Sequence, residues 1–310
     1  MRALPTFLVL GLAVGGLTAG CADQGASGSG GGRLDVVTAF YPLQFLTERI
    51  GGDTVSVTNV TKPGAEPHDV ELNPRQVGEI SDAGLVVYIS GFQPAMDEAV
   101  AQQASGKAFD AASAVPLLSL TGDAAEDEPG HEDTESTHGK DPHFWLDPVR
   151  FAAVADRLAA RMGQADPGHA AAYASRARTV HAELDTLNTQ YAQRLHSCAR
   201  RELVTSHTAF AYLAQRYKLT QIGIAGIDPE NEPSPRRLAE VAAEAKATGT
   251  TTIFFETLVS PKVAETIARE VGARTAVLDP LEGLTKPGSD YFSVMRDNLA
   301  ALTEALGCTS

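Results

Sequence analysis

Three histidines stand where the chain could hold an imidazole in a fixed position. His68 follows Pro67 in a loop that also carries Pro63; a proline sets its own backbone angle and lowers the entropy lost in presenting the next ring. His143 lies between Asp141-Pro142 and Asp147-Pro148, in the segment that holds the only tryptophan, Trp145. His207 comes directly after the run Glu202-Leu203-Val204-Thr205-Ser206. Two carboxylates occupy comparable places: Glu256 closes the run from Thr250 to Phe255, and Asp279 follows the run from Arg274 to Leu278. Imidazole nitrogens with one carboxylate suit a borderline divalent cation, and four such donors at about 2.0–2.2 Å complete the tetrahedron that zinc favours. Manganese prefers more oxygen donors, so three histidines tilt the set towards zinc. No close-spaced pair such as His-Glu-x-x-His occurs, so only the folded chain could bring these residues together.

The elements that must position these donors alternate between strand and helix. Leu34 to Tyr41 reads as a β-branched strand. Pro42 then opens a helix with Leu43, Leu46 and Ile50 on one face, Gly51-Gly52 closes it, and Thr54 to Val60 reads as a second strand. Strand, helix, strand is the signature of a parallel sheet. A helix over 74–83, a doubly buried strand over 84–90, a helix over 94–104 and a short strand over 115–118 follow. Asp147-Pro148 caps a helix carrying Phe151, Val154 and Leu158. Asp166-Pro167 starts another, with Tyr173, Ala177, Val180, Leu184, Leu187 and Tyr191 in one apolar stripe. His169, His181 and His196 on that rod read as surface residues. The alternation then resumes and ends in a helix over 291–306. The expected architecture is α/β: two Rossmann-like lobes with mostly parallel sheets, residues 34–165 and 199–310, joined by one long rigid helix over 166–198. Ligands of open parallel sheets bind beyond the carboxyl ends of the strands. His68 and His143 from one lobe would thus meet His207 and a carboxylate from the other in the cleft between them.

With 310 residues and 43% apolar content the chain can build two cores, and its net charge of −14 argues against a nucleic-acid partner. Arg2, the apolar run from Phe7 to Leu17 and the small residues Thr18-Ala19-Gly20 before Cys21 read as a signal segment over 1–20. Small residues ahead of a cysteine resemble a bacterial lipobox, which makes Cys21 the expected lipidation site and the Gly/Ser-rich residues 21–33 a flexible tether. Cys198 and Cys308 remain as an even pair in an oxidising compartment, expected to close a disulfide, with two buried thiols as the alternative. Residues 121–141 hold eight acidic side chains against Lys140 alone, with His131 and His138 among them. Such a tract cannot bury itself; it reads as a mobile loop whose histidines either collect divalent cations weakly or are incidental.

Several of these segments together resemble the zinc-specific solute-binding proteins of bacterial ABC importers. They are Tyr41-Pro42-Leu43, Pro67-His68 with Glu71-Leu72, the acidic histidine loop leading into Asp141-Pro142-His143-Phe144-Trp145-Leu146-Asp147-Pro148, Ser206-His207-Thr208-Ala209-Phe210 and Phe255-Glu256. The resemblance spans nearly all of the chain after the tether. It implies a zinc ion between the lobes, bound by His68, His143 and His207, with Asp279 taken as the fourth ligand at a position the family fills with a carboxylate or water. Glu256 is then a carboxylate standing behind the ligands. It implies further an extracytoplasmic, lipid-anchored monomer that captures Zn2+ and delivers it to an ABC permease, and no enzymatic activity. Two other readings of the donor set are a manganese or iron receptor of the same class, and a secreted zinc hydrolase with Glu256 or Glu66 as general base.

Overall fold

The structure, a computed structural model, describes residues 1, 3, 32–120 and 139–309. Cys21, His131 and His138 lie outside the described residues, as do nearly all of the expected signal segment and most of the acidic loop. By its contacts the chain divides into Met1–Gly32 and Arg33–Ser310, and every element named below belongs to the second unit. Among the described residues no helix is long and apolar enough to cross a membrane.

Two four-stranded parallel sheets form the body. The first contains β1 (Leu34–Thr38), β2 (Val55–Asn59), β3 (Leu85–Tyr88) and β4 (Ala108–Asp110) in the order β2-β1-β3-β4. The second contains β5 (Glu202–Thr205), β6 (Thr220–Gly223), β7 (Thr252–Phe255) and β8 (Arg274–Val277) in the order β6-β5-β7-β8. Both orders reverse beside the first strand of the sheet, with Val36 paired to Val57 on one side and Leu85 on the other, and Val204 paired to Ile222 and Ile253. A reversal of this kind leaves a crevice at the strands' carboxyl ends. The central strands are buried on both faces, so Leu85-Val86-Val87 and Thr252-Ile253-Phe254 read as unbroken runs rather than alternating ones.

Helices α1 (Tyr41–Gly51), α2 (Pro74–Asp82) and α3 (Pro94–Gln103) serve the first sheet; α6 (Ala211–Tyr217), α7 (Pro235–Ala247), α8 (Lys262–Val271) and α9 (Tyr291–Leu306) serve the second. Between them run α4 (Pro148–Ala165) and α5 (Ala170–Arg194), packed side by side. The 25 residues of α5 span about 37 Å at the usual rise, and α5 touches α1 of the first lobe and α9 of the second. One apolar core therefore runs from β1 and β3 through Phe151, Leu158, Tyr173, Leu184 and Tyr191 to Leu299 and Leu302, while a smaller one covers the far side of the second sheet. Cys198 and Cys308 are joined by a disulfide, which ties the chain after α5 to the end of α9.

The structure corrects one strand. Residues 115–118 form none; the fourth strand of the first sheet is β4, Ala108–Asp110, and the chain beyond it makes a single antiparallel bridge, Ser119 to Lys140. Pro116 supplies no N–H to a ladder, which removes the run from consideration as a central strand.

Candidate metal centre

Each histidine reaches the cleft from a separately braced loop. His143 sits just before a 3-10 turn, Phe144–Leu146, whose exit is fixed by Asp147 accepting the Val149 N–H at 3.0 Å as the N-cap of α4. Asp147 also receives the Arg216 guanidinium of α6 at 2.9 and 2.7 Å, so the loop is pinned to the opposite lobe. His207 lies two residues past β5, its carbonyl taking hydrogen bonds from Thr205 Oγ1 at 2.7 Å and Gln221 Nε2 at 3.0 Å. Gly223 at the end of β6 is required here, since a Cβ would lie 2.3 Å from Thr208 Oγ1. His68 lies in the loop between β2 and α2; its N–H donates to Glu66 Oε2 at 2.9 Å, Gln93 Nε2 holds the Pro67 carbonyl at 2.9 Å, and its ring stands edge-on to Phe92 at 4.5 Å.

These loops bring His68, His143, His207 and Glu282 together, with one ligand atom of each lying within 4.8 Å of all the others. Glu282 Oε1 is 3.3 Å from His68 Nε2, 3.1 Å from His143 Nε2 and 3.5 Å from His207 Nε2. A tetrahedron with arms of about 2.0–2.2 Å has edges of about 3.3–3.6 Å, so the three separations that meet at Glu282 Oε1 are close to the edges of a zinc site. The group is closed to solvent: His68 is 8% exposed, His207 1%, and His143 and Glu282 0%. Among the described residues His207 Nε2 and Glu282 Oε2 are buried without a hydrogen-bond partner. Leaving such atoms unpaired costs about 1–3 kcal/mol each, a cost that coordination to a cation removes.

Two rings are gripped from behind. His143 Nδ1 is 2.8 Å from Asp141 Oδ1, which also accepts the His143 backbone N–H at 2.9 Å. His207 Nδ1 is 2.8 Å from Glu256 Oε1, which Ser206 Oγ reaches at 2.7 Å. A carboxylate on Nδ1 fixes the tautomer that directs Nε2 at the centre and raises its basicity. Burial lowers the His143 pKa, but the hydrogen bonds to Asp141 and Glu282 outweigh it and leave the ring above its usual value. For His207 burial again lowers it, and the charges of Glu256 and Glu282 prevail, holding the ring well above the usual range. Burial would raise Glu282, yet the His207 charge and the imidazole hydrogen bonds hold it well below the usual carboxylate range. Burial, reinforced by the charge of Glu282, pushes Glu66 up to about 8.

The fourth donor differs from the sequence expectation. Asp279 is engaged elsewhere: its Oδ1 accepts the Leu281 N–H at 2.8 Å and its Oδ2 the Thr257 hydroxyl at 3.0 Å. The carboxylate that lies with the three histidines is Glu282, three residues further on and just past the left-handed turn at Leu281. Its signal in the sequence was a glutamate directly before Gly283 in the loop after the last strand.

A family model described as the periplasmic zinc-uptake complex component A matches residues 36–305. The high-affinity zinc uptake system protein ZnuA of Bacillus subtilis strain 168 is 35% identical over 302 residues, which is 94% of this chain and 94% of that protein. The zinc-binding lipoprotein AdcA of Streptococcus pneumoniae strain R6 is 34% identical over 279 residues, covering 88% of this chain but only 56% of AdcA. Among solved structures, a Zn(II)-bound mutant variant of AdcAII from Streptococcus pneumoniae is similar with a TM-score of 0.77 and 30% identity, over 89% of this chain and 100% of that one.

Proposed function

This chain belongs to the family of periplasmic zinc-uptake complex A components, and from that premise we propose that it is the extracytoplasmic receptor of a zinc importer, capturing Zn2+ between its lobes and passing it to an ABC permease. The observation that carries this reading is the buried cluster of three imidazoles and one carboxylate, whose donor atoms all lie within 4.8 Å of one another and converge on Glu282 Oε1 at 3.1–3.5 Å. His68, His143, His207 and Glu282 are the proposed ligands, and zinc is cargo rather than a resident cofactor. With a single oxygen donor among four, the set favours zinc over manganese or iron. Glu282 fills the position that a hydrolase leaves open for water, so the protein binds its ion without catalysing a reaction. Residues 34–165 and 199–310 act as the two binding lobes of a monomer, with 166–198 as the strut. Cys21, lipidated after removal of residues 1–20, anchors it to the membrane through the tether 21–33; the lipoprotein relative supports this part.

The test is zinc titration of the protein and of its His68→Ala, His143→Ala and His207→Ala variants, with manganese as competitor. One tight equivalent per chain is expected, lost in each variant and not displaced by manganese. Full-strength binding in a variant removes that residue from the site, and preferential manganese binding overturns the cargo.

A further inference from the structure

Glu282, like His68 and unlike His143 and His207, has no carboxylate bracing its side chain from behind among the described residues; what holds it is the backbone ahead of it. Asn298 on α9 is 2% exposed, a buried amide on an otherwise apolar helix face. Its Oδ1 accepts the Asp279 N–H at 2.9 Å and its Nδ2 donates to the Asp279 carbonyl at 2.7 Å, so one side chain satisfies both polar groups of that residue as a neighbouring strand would. From the other lobe, Trp145 Nε1 donates to the Pro280 carbonyl at 2.7 Å, while Tyr291 Oη holds the Trp145 carbonyl at 2.7 Å. The Asp279 carboxylate caps Leu281 at 2.8 Å. Leu281 itself is fully buried with φ +64°, in the left-handed region that a branched side chain seldom visits. A residue keeps such a conformation only where its surroundings over-determine it. Here those surroundings are Asn298, Trp145 and Asp279, and the next residue is Glu282.

We infer that Asn298 and Trp145 are positioning residues for Glu282: by fixing the peptide groups of Asp279 and Pro280 they force the left-handed turn at Leu281 that throws the Glu282 carboxylate onto the three imidazoles. This rests on the reading of Glu282 as a ligand. The consequence is that the fourth ligand depends on both lobes at once, on α9 through Asn298 and on the His143 loop through Trp145.

A double-mutant cycle separates positioning from general loosening. Zinc affinity is measured by chelator competition on the full protein for Asn298→Ala, Trp145→Phe and Glu282→Gln, and for each of the first two combined with Glu282→Gln; cobalt(II) absorption is recorded in parallel. Positioning residues of this kind typically change metal affinity by about 10–100-fold. Asn298→Ala and Trp145→Phe are expected to weaken zinc by about tenfold alone but by less than about twofold in the Glu282→Gln background, and their cobalt spectra should move towards that of Glu282→Gln. Equal losses in both backgrounds, or no loss in a folded single variant, overturn the proposal. Trp145→Phe deletes the N–H together with the five-membered ring of a fully buried side chain, so the comparison of its loss in the two backgrounds, not the single loss, decides the matter should Asn298→Ala not fold. Glu282→Gln binding zinc as tightly as the unaltered protein would instead remove Glu282 from the ligand set, a failure of the site reading that the cycle reports separately.

Discussion

Zinc reaching the cluster at pH 7 is expected to release protons. Coordination needs the Nε2 lone pair, so any imidazolium in the metal-free protein must lose its Nε2 proton. His207 is held well above its usual pKa by the charges of Glu256 and Glu282, and His143 is raised by its hydrogen bonds to Asp141 and Glu282, so both rings hold a proton more tightly than a free imidazole does. Nδ1 of each ring keeps its proton, facing Asp141 or Glu256 at 2.8 Å. The sign follows: acidification opposes binding, and each proton released raises the dissociation constant by about tenfold per pH unit, or about 1.4 kcal/mol. Isothermal titration of zinc in buffers of different ionisation enthalpy counts the protons directly. Glu256→Gln removes one of the charges that raise His207 and should lower the count by up to one. A count below one half, with affinity flat from pH 8 to 6, would refute the electrostatic account of the cluster.

Further outcomes concern the same framework. Asp141→Asn and Glu256→Gln should each weaken zinc by about 10–100-fold without altering the fold, since each removes the acceptor that orients a ring; competition with a chromophoric chelator measures it. Removing the Cys198–Cys308 disulfide, which links residues 110 apart, should lower unfolding stability by about 4–5 kcal/mol in the chain-entropy picture while leaving zinc affinity within twofold; denaturant titration with and without reductant tests both halves. Arg216→Ala leaves Asp147, 1% exposed, without its bidentate partner and should cost about 2 kcal/mol of stability, read from the same titrations. Burial pushes Asp97 up to about 6. The folded state then holds that proton more tightly than the unfolded chain, so stability falls as pH rises from about 4 to 6. Asp97→Asn should flatten that stretch of the pH–stability curve.

Local signals made most of this molecule legible before its fold was known. Parallel strands buried on both faces announce themselves as short β-branched runs, and Asp147-Pro148 states where α4 begins. The three histidines stood out because each follows a stiff or strand-ending segment. What escaped were features set by tertiary geometry. Ala108-Phe109-Asp110 is too short to display a period, whereas the longer apolar run after it contains Pro116 and has no ladder to join. The fourth donor was assigned to Asp279 because it directly follows a strand. Glu282 faces the cluster only because Leu281 adopts φ +64°, a turn held by Asn298 at a separation that no local pattern reveals. Asp141 as the partner of His143 was nearer to hand, since two residues of spacing around a proline is within reach of one side chain, but its direction depended on the 3-10 turn at Phe144.

The most direct test is a crystal structure of the zinc-loaded protein with anomalous data collected at the zinc edge. One strong peak is expected, with Nε2 of His68, His143 and His207 and a carboxylate oxygen of Glu282 at about 2.0–2.2 Å. A peak away from these four residues, or an ion there whose fourth ligand is Asp279 or water, would contradict the account.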